Sequence, residues 1–186
     1  RDAERMDQIV AAGIDAVLSA LGPTQGAPRN LLTVGMQNLV AAMEHHGVRR
    51  LVVLMSAALT DPHDEVTLSR SVGLTLRRLA PGSALDDAEA AAAVLRASAL
   101  DWTIVRAPRL TDGPRTSFYL TGYLKVGSGH SIARGDVADL RIARVGTSVV
   151  DADGPGHELV VAGVGDLHAS HGVGRAVVDR EDGHSA

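Results

Sequence analysis

Residues that could bind a ligand or take part in a reaction stand at the ends of three apolar stretches of this sequence. Ser56 ends "LVVLMS", Gly22 follows "DAVLSAL", and Arg106 and Arg109 lie at the end of "LDWTIVRAPR". A serine hydroxyl can hydrogen-bond a ligand, a glycine lets the backbone approach a flat or phosphate-bearing ligand, and guanidinium groups suit phosphate or carboxylate. A helix cap or turn residue is the favoured interpretation of Ser56, and a plain turn glycine explains Gly22 as well as a ligand contact does. A solvated surface side chain is the favoured interpretation of Arg106.

Histidines and acids offer a second set of candidates. His45 and His46 end a predicted helix, where they complement the helix dipole better than they suit catalysis. His168 and His171 have metal-like spacing, but no third ligand stands near them in the sequence, so surface histidines are expected. The acids of "DDAE", 86–89, indicate helix-start electrostatics rather than a pair of catalytic carboxylates.

The composition excludes several classes of function. The 186 residues suit one domain, and 45% of them are hydrophobic. No cysteine is present, which excludes disulfides and a thiol nucleophile. A net charge of −4 and few aromatic residues argue against a nucleic-acid partner. No apolar run approaches the ~20 residues of a membrane span, so no membrane partner and a cytoplasmic location are expected. Neither G-x-G-x-x-G, a Walker loop nor Tyr-x-x-x-Lys occurs in the sequence.

Hydrophobic patterning predicts helices alternating with buried strands. Continuous apolar strands separated by amphipathic helices are typical of right-handed βαβ units and a parallel sheet covered on both faces. Ligands bind such sheets beyond the carboxyl ends of the strands. The helices are expected over 2–12, 29–47, 72–79 and 81–98, with a last one starting near Ser131 or Asp136, and the strands over 14–21, 49–56, 100–107 and 117–126.

The composition changes near residue 146. Residues 1–145 are interpreted as one α/β domain, and 146–186 as a divergent, partly disordered C-terminal segment rich in Gly, Asp and His. Within that segment, 157–163 and 174–180 are possible short strands.

Four phrases, in order, carry a resemblance to a known family. They are "DAVLSALGP", "NLVAAMEHHGVRRLVVLMSAA", "VLRASALDWTIVRAPRLTDGP" and "IARGDVADL". The sequence from Asp2 to Leu140 resembles the atypical short-chain dehydrogenase/reductases of the NAD(P)H-binding, NmrA-like type, nearest to the flavin reductase and biliverdin reductase B group. The resemblance implies a Rossmann-like parallel sheet with helices on both faces.

The resemblance also implies a cofactor site at three strand ends. By position these are Leu21-Gly22-Pro23, Met55-Ser56-Ala57 and Pro108-Arg109-Leu110. Ser56 takes the place of the serine beside the nicotinamide, which makes it the candidate catalytic residue. NADPH is the expected cofactor rather than NADH, and the acceptor pocket is expected within 58–75 and 111–120.

Three departures from the family pattern leave the function open, and one of them is that the sequence after Leu140 lacks the family's usual amphipathic helix. Family members begin with a strand and a "GATGxxG" turn that this chain lacks, so an N-terminally truncated family fold is expected. Met55 stands where the family usually has Ser or Thr. The favoured hypothesis is an NAD(P)H-dependent reductase of a small aromatic acceptor such as a flavin or quinone, provided that the N-terminal segment exists in the full protein. The alternatives are a non-catalytic NAD(P)-binding redox sensor and a truncated chain without cofactor binding.

Overall fold

The computed structural model describes residues 2–60, 84–122, 126, 129–145 and 156–163. Its four described helices are α1 (Asp2–Val10), α2 (Leu31–His46), α3 (Ala84–Arg96) and α4 (Arg134–Val145). The seven described strands are β1 (Ala16–Ser19), β2 (Arg50–Ser56), β3 (Asp101–Ala107), β4 (Arg109–Thr111), β5 (Tyr119–Gly122), β6 (Ser131–Ala133) and β7 (Gly156–Gly163).

Five of these strands form the main sheet, in the order β1-β2-β3-β7-β5. The first four are parallel, and β5 pairs antiparallel with β7. The register sets Val17 beside Leu51 and Leu51 beside Trp102. Parallel pairing aligns the carboxyl ends of β1, β2 and β3 at one edge of the sheet, which is the edge where ligands bind in folds of this kind.

The central strands β2 and β3 are packed on both faces, and this is why most of their residues are apolar. On one face, Leu51, Val53 and Ile104 pack in a core with α1, α2 and α3. On the other face, Val52 and Val105 pack in a smaller core whose remaining members come from α4 and its surroundings. The result is a three-layer α/β/α arrangement with a Rossmann-like sheet.

Gly47 ends α2 as the sequence predicts. Its φ of 71° lies in the left-handed region, which a residue without a Cβ adopts at little cost. Its N–H donates to Glu44 O, and the N–H of Val48 donates to Met43 O at 2.9 Å, so the last turn keeps its carbonyls paired. The chain then enters β2 within three residues, which fixes β2 against the end of α2.

The predicted alternation of helix and strand is confirmed from α1 to β3, with element ends shifted by a few residues. The last helix is predicted to start near Ser131 or Asp136, and its observed start lies two residues before Asp136. Ser131–Ala133 is strand β6, which pairs parallel with β4, and α4 begins at Arg134. The predicted helix over 72–79 and the possible strand over 174–180 lie outside the described residues.

The possible strand over 157–163 is confirmed as β7. It comes from the segment beyond residue 145 and lies between β3 and β5 in the main sheet. Among the described residues, no helix is both long enough and apolar enough to cross a membrane.

Candidate active site

A cavity of about 490 Å³ opens at the carboxyl ends of β1, β2 and β3. The ends of the three strands supply its floor, and the start of α2 and the first half of α3 supply its walls. Within the described part of the chain every lining residue is uncharged, and the hydroxyls of Ser19 and Ser56 are the only polar side-chain groups among them. Such a surface suits a flat, largely apolar group held by backbone and hydroxyl hydrogen bonds.

The structure brings together all three loops that the sequence singled out. The lining residues among the nine predicted ones are Leu21, Gly22, Pro23, Met55, Ser56, Pro108 and Leu110. Ala57 and Arg109 do not line the cavity, and Arg109 is exposed beside it. The roles of these residues toward a cofactor remain predictions.

Sequence reasoning missed the contributions of the helices. Met36 of α2 and Ala88 and Ala91 of α3 line the cavity and belong to the core at the same time. The alanine-rich run of α3 was the available signal, because small side chains on a helix facing a sheet edge leave room for a ligand.

Ser56 ends β2 at the rim of the cavity and is exposed. Its Oγ accepts a hydrogen bond of 3.2 Å from the N–H of Ala58, which is the turn role that the sequence left open. A hydroxyl that accepts this bond still has its own hydrogen to donate. The side chain can therefore serve the turn and a ligand together.

Gly22 follows β1 in a conformation that any residue could adopt, and a Cβ built on it would meet nothing within 4 Å. Its space is therefore open toward the cavity. Gly35 of α2 has the opposite character, since a Cβ there would lie 2.5 Å from Cδ2 of Leu21. The absence of a side chain at Gly35 lets Leu21 lie against α2 beside the site.

The expectation of a solvated Arg106 was wrong. Its side chain is 1% exposed and donates to the backbone carbonyl of Leu59 and, at 3.3 Å, to that of Ala57. The guanidinium thus holds the chain that leaves β2 against the end of β3. Sequence spacing could not reveal this role, because the two acceptors are carbonyls of another loop.

Asp87 closes the start of α2. This buried carboxylate of α3 accepts the N–H groups of Leu32 and Thr33 at 2.7 and 3.0 Å, as well as the Thr33 hydroxyl. Asp86 and Asp87 lie in the first turn of their own helix, as predicted, and Asp87 in addition caps α2. A phosphate cannot use the same N–H groups while the carboxylate holds them.

Asp136, in the first turn of α4, holds the loop that follows β4. It is 2% exposed and accepts the N–H groups of Thr116 and Ser117, both at 2.8 Å, and the Thr116 hydroxyl at 2.9 Å. Gly135 permits this close approach, because a Cβ there would lie 3.0 Å from Cβ of Arg115. The loop over 112–118 is therefore anchored, with Leu110 of the cavity just before it.

The donor set fits one half of a nicotinamide dinucleotide. The apolar walls and the strand-end backbone suit a nicotinamide ring and its ribose, and the Ser19 and Ser56 hydroxyls can bond to ribose or carboxamide groups. Among the described lining residues none carries a positive charge for the pyrophosphate. When bound, NAD(P)H would supply a hydride at this edge of the sheet.

Solved structures of proteins described as oxidoreductases or reductases share this fold. The oxidoreductase ylbE of Lactococcus lactis superposes with a TM-score of 0.63 at 20% identity, over 86% of this chain and 66% of that one. An anaerobilin reductase, ChuY, of Escherichia coli O157:H7 gives 0.61 at 18% identity, over 92% and 74%. A short-chain dehydrogenase/reductase of Veillonella parvula in complex with NADP gives 0.62 at 18% identity, over 89% and 70%.

These likenesses establish the fold, and the chain spans slightly less than two thirds of the Lactococcus chain, 66%. The family itself follows from a sequence model described as NAD(P)H-binding, which matches residues 1–146. That range contains the three strand ends, the cavity and Asp136. The chain belongs to the NAD(P)H-binding family.

Proposed function

We propose that the protein is a cytoplasmic NAD(P)H-dependent reductase that transfers a hydride to a small aromatic acceptor, such as a flavin or quinone. The observation that carries the proposal is the cavity of about 490 Å³ at the aligned carboxyl ends of β1, β2 and β3. Its apolar walls would exclude water from a hydride donor and a flat acceptor stacked together. The membership of the family supports the nicotinamide cofactor.

NADPH is proposed over NADH. The Veillonella structure that shares this fold holds NADP, which supports the choice. A tetrapyrrole reductase among the similar structures adds a third class of flat acceptor to be tried beside flavins and quinones. A comparison of NADPH with NADH by isothermal titration calorimetry is expected to give the lower Kd for NADPH.

Binding at this cavity can be tested with two matched glycine substitutions. A Cβ meets nothing within 4 Å at either Gly22 or Gly129, but only Gly22 lines the cavity. Gly22→Leu is expected to abolish NADPH binding without lowering the Tm, because its side chain fills ligand space. Gly129→Leu is expected to change neither. Equal NADPH affinity in both variants would remove the cavity from the proposal.

Turnover tests the enzyme proposal separately. NADPH oxidation is followed at 340 nm with FMN, a benzoquinone or biliverdin as acceptor. Acceptor-dependent oxidation is expected from a protein that carries this chain together with the family's N-terminal glycine-turn segment. NADPH binding without oxidation of any acceptor class would instead favour a non-catalytic sensor. The observation that favours this second function is the uncharged lining, because the described lining residues include no acid or base that could transfer a proton.

Ser56→Ala tests the candidate catalytic residue. Loss of the hydroxyl is expected to lower kcat by about tenfold, as for one lost positioning bond, and to leave the Kd for NADPH within about threefold. The exposed bond to Ala58 is worth about 1 kcal/mol or less, so the fold should persist. An unchanged kcat would exclude Ser56 from hydride transfer.

A further inference from the structure

Three side chains with metal-binding atoms converge at the opposite end of the molecule from the candidate active site. His45 and His46 end α2, and Asp7 lies on the facing side of α1. Nδ1 of His45 and Nε2 of His46 lie 3.2 and 2.9 Å from the same atom, Oδ1 of Asp7. All three potential ligand atoms lie within 4.8 Å of one another.

The two histidines reach one point although they are adjacent in the helix. Neighbouring side chains on a helix point about 100° apart. The two histidines still reach the same oxygen because His45 uses its Nδ1 atom and His46 uses its Nε2 atom. The rings lie 4.5 Å apart and are tilted by 44°, so neither stacks flat on the other. A helix-dipole role requires only cationic side chains near the end of α2, so it does not account for two imidazoles that contact one carboxylate oxygen.

The donor set matches a transition-metal ion. Imidazole nitrogen and carboxylate oxygen bind Zn²⁺ at about 2.0–2.1 Å, which places tetrahedral ligand atoms about 3.4 Å apart. The distances from Asp7 Oδ1 to the two histidines need to widen by only a few tenths of an ångström to reach that value. Three protein ligands leave a fourth position for water.

The surroundings favour a cation at this place. The carbonyl groups at the end of α2 carry partial negative charge next to the histidines. The nearby cations are engaged elsewhere: Arg50 pairs with Asp101 at 3.2 Å, and Arg49 donates to Ala99 O. The side chains of Asp7 and His45 are 43% and 72% exposed, so an aqueous ion has access, and His46, at 24%, is held in place.

We propose that Asp7, His45 and His46 form a binding site for a divalent transition-metal ion of the Zn²⁺ class. Bound there, the ion joins α1 to the end of α2. Because the ligands come from two elements, the site exists only in the folded chain, and metal binding stabilises the fold by mass action.

Metal uptake by the full chain tests the site. The protein is freed of metal with EDTA and titrated with ZnCl₂ by calorimetry, and its Tm is measured with and without Zn²⁺. One ion per chain and a Zn²⁺-dependent rise in Tm are expected. Co²⁺ as a probe is expected to give the visible absorption of a four-coordinate site with nitrogen and oxygen ligands.

Variants assign the ion to these residues. The triple variant Asp7→Asn, His45→Ala, His46→Ala is expected to lose both the uptake and the rise in Tm. The single variant His45→Ala replaces the most exposed ligand and serves as the test if the triple variant does not fold. It is expected to weaken Zn²⁺ binding at least about tenfold. The matched control His168→Ala, His171→Ala removes the other histidine pair noted in the sequence and is expected to bind Zn²⁺ as the unaltered chain does.

Two results would overturn the proposal. One is binding that survives in the triple variant, which would place the ion elsewhere, or binding that disappears in the control, which would assign the ion to His168 and His171. The other is a folded chain that takes up no Zn²⁺ or Co²⁺, even if the triple variant lowers the Tm. The three side chains would then form an ion pair between two helices and nothing more.

Discussion

Arg106 is a single side chain that organises two strand ends. Its side chain lies on the face of β3 that α3 covers. The guanidinium donates hydrogen bonds to backbone carbonyls of the chain that leaves β2. A charge removed from water is tolerated only when hydrogen bonds replace its hydration. The candidate cavity depends on these strand ends keeping their spacing, so this residue acts on the site without lining it.

Arg106→Met is expected to lower the free energy of unfolding by about 3 kcal/mol, because two backbone carbonyls lose a charged donor in a buried place. Urea unfolding monitored by the fluorescence of Trp102 measures the loss. Arg109→Met is the control three residues on. That side chain is exposed, and its replacement should change the free energy by about 0.5 kcal/mol or less. Equal effects from the two variants would contradict the structural role of Arg106.

At the scale of elements, Asp136 ties the first turn of α4 to the loop after β4. Asp136→Ala is expected to cost about 2–3 kcal/mol of unfolding free energy, since two N–H groups and a hydroxyl lose a shared acceptor. The released loop should also exchange its amide hydrogens faster, which hydrogen-exchange mass spectrometry over 112–118 would detect.

Asp139→Ala is the matched control on the same helix. Asp139 pairs with Arg115, whose side chain is 62% exposed, and such surface pairs contribute about 0–1 kcal/mol. A loss at Asp139 as large as that at Asp136 would show that the loop is held by charge rather than by buried hydrogen bonds.

The sequence predicted those elements whose signal is local. The apolar run of β2, the alanine-rich α3 and the glycine after α2 each specify their structure within a few residues, and the three strand-end loops of the cavity followed from the order of these elements. It failed where the determinant is distant in sequence. β6 is a three-residue strand because it pairs with β4. The three residues "SIA" are too few to show a strand periodicity, so the sequence could not predict this pairing.

The candidate site shows the same division. The family resemblance implied that Leu21, Met55 and Pro108 contact the cofactor, and these residues do line the cavity. The cap from Asp87 to α2 joins residues 55 positions apart, and the anchor from Asp136 to the loop joins residues 20 positions apart. Hydrogen bonds of that kind depend on the assembled sheet, so the spacing of residues in one segment cannot predict them.

At the scale of the whole molecule, the segment beyond residue 145 completes the sheet. β7 separates β3 from β5 and pairs with both, and its Glu158 forms an ion pair with Arg96 at the end of α3. The carboxylate is almost wholly buried, with 4% of its side chain exposed, and Arg96 also donates to Thr60 O. One strand therefore connects the sheet, a helix and the chain leaving β2.

A chain that ends at Val145 is consequently expected not to fold. One edge of β3, from Trp102 to Arg106, would lose the hydrogen bonds that it makes to β7, and β5 would lose its partner strand. Both losses fall at the centre of an apolar sheet. Circular dichroism and the width of the urea transition test this. In the full chain, Glu158→Ala should lower the free energy of unfolding by about 3–5 kcal/mol, because it leaves the charge of Arg96 without its carboxylate partner. The control Glu44→Ala, on the exposed face of α2, should lower it by about 1 kcal/mol or less. A cooperative transition from the shortened chain would show instead that residues 1–145 are sufficient for the fold, and β7 would then be an addition to a sheet already stable at β3.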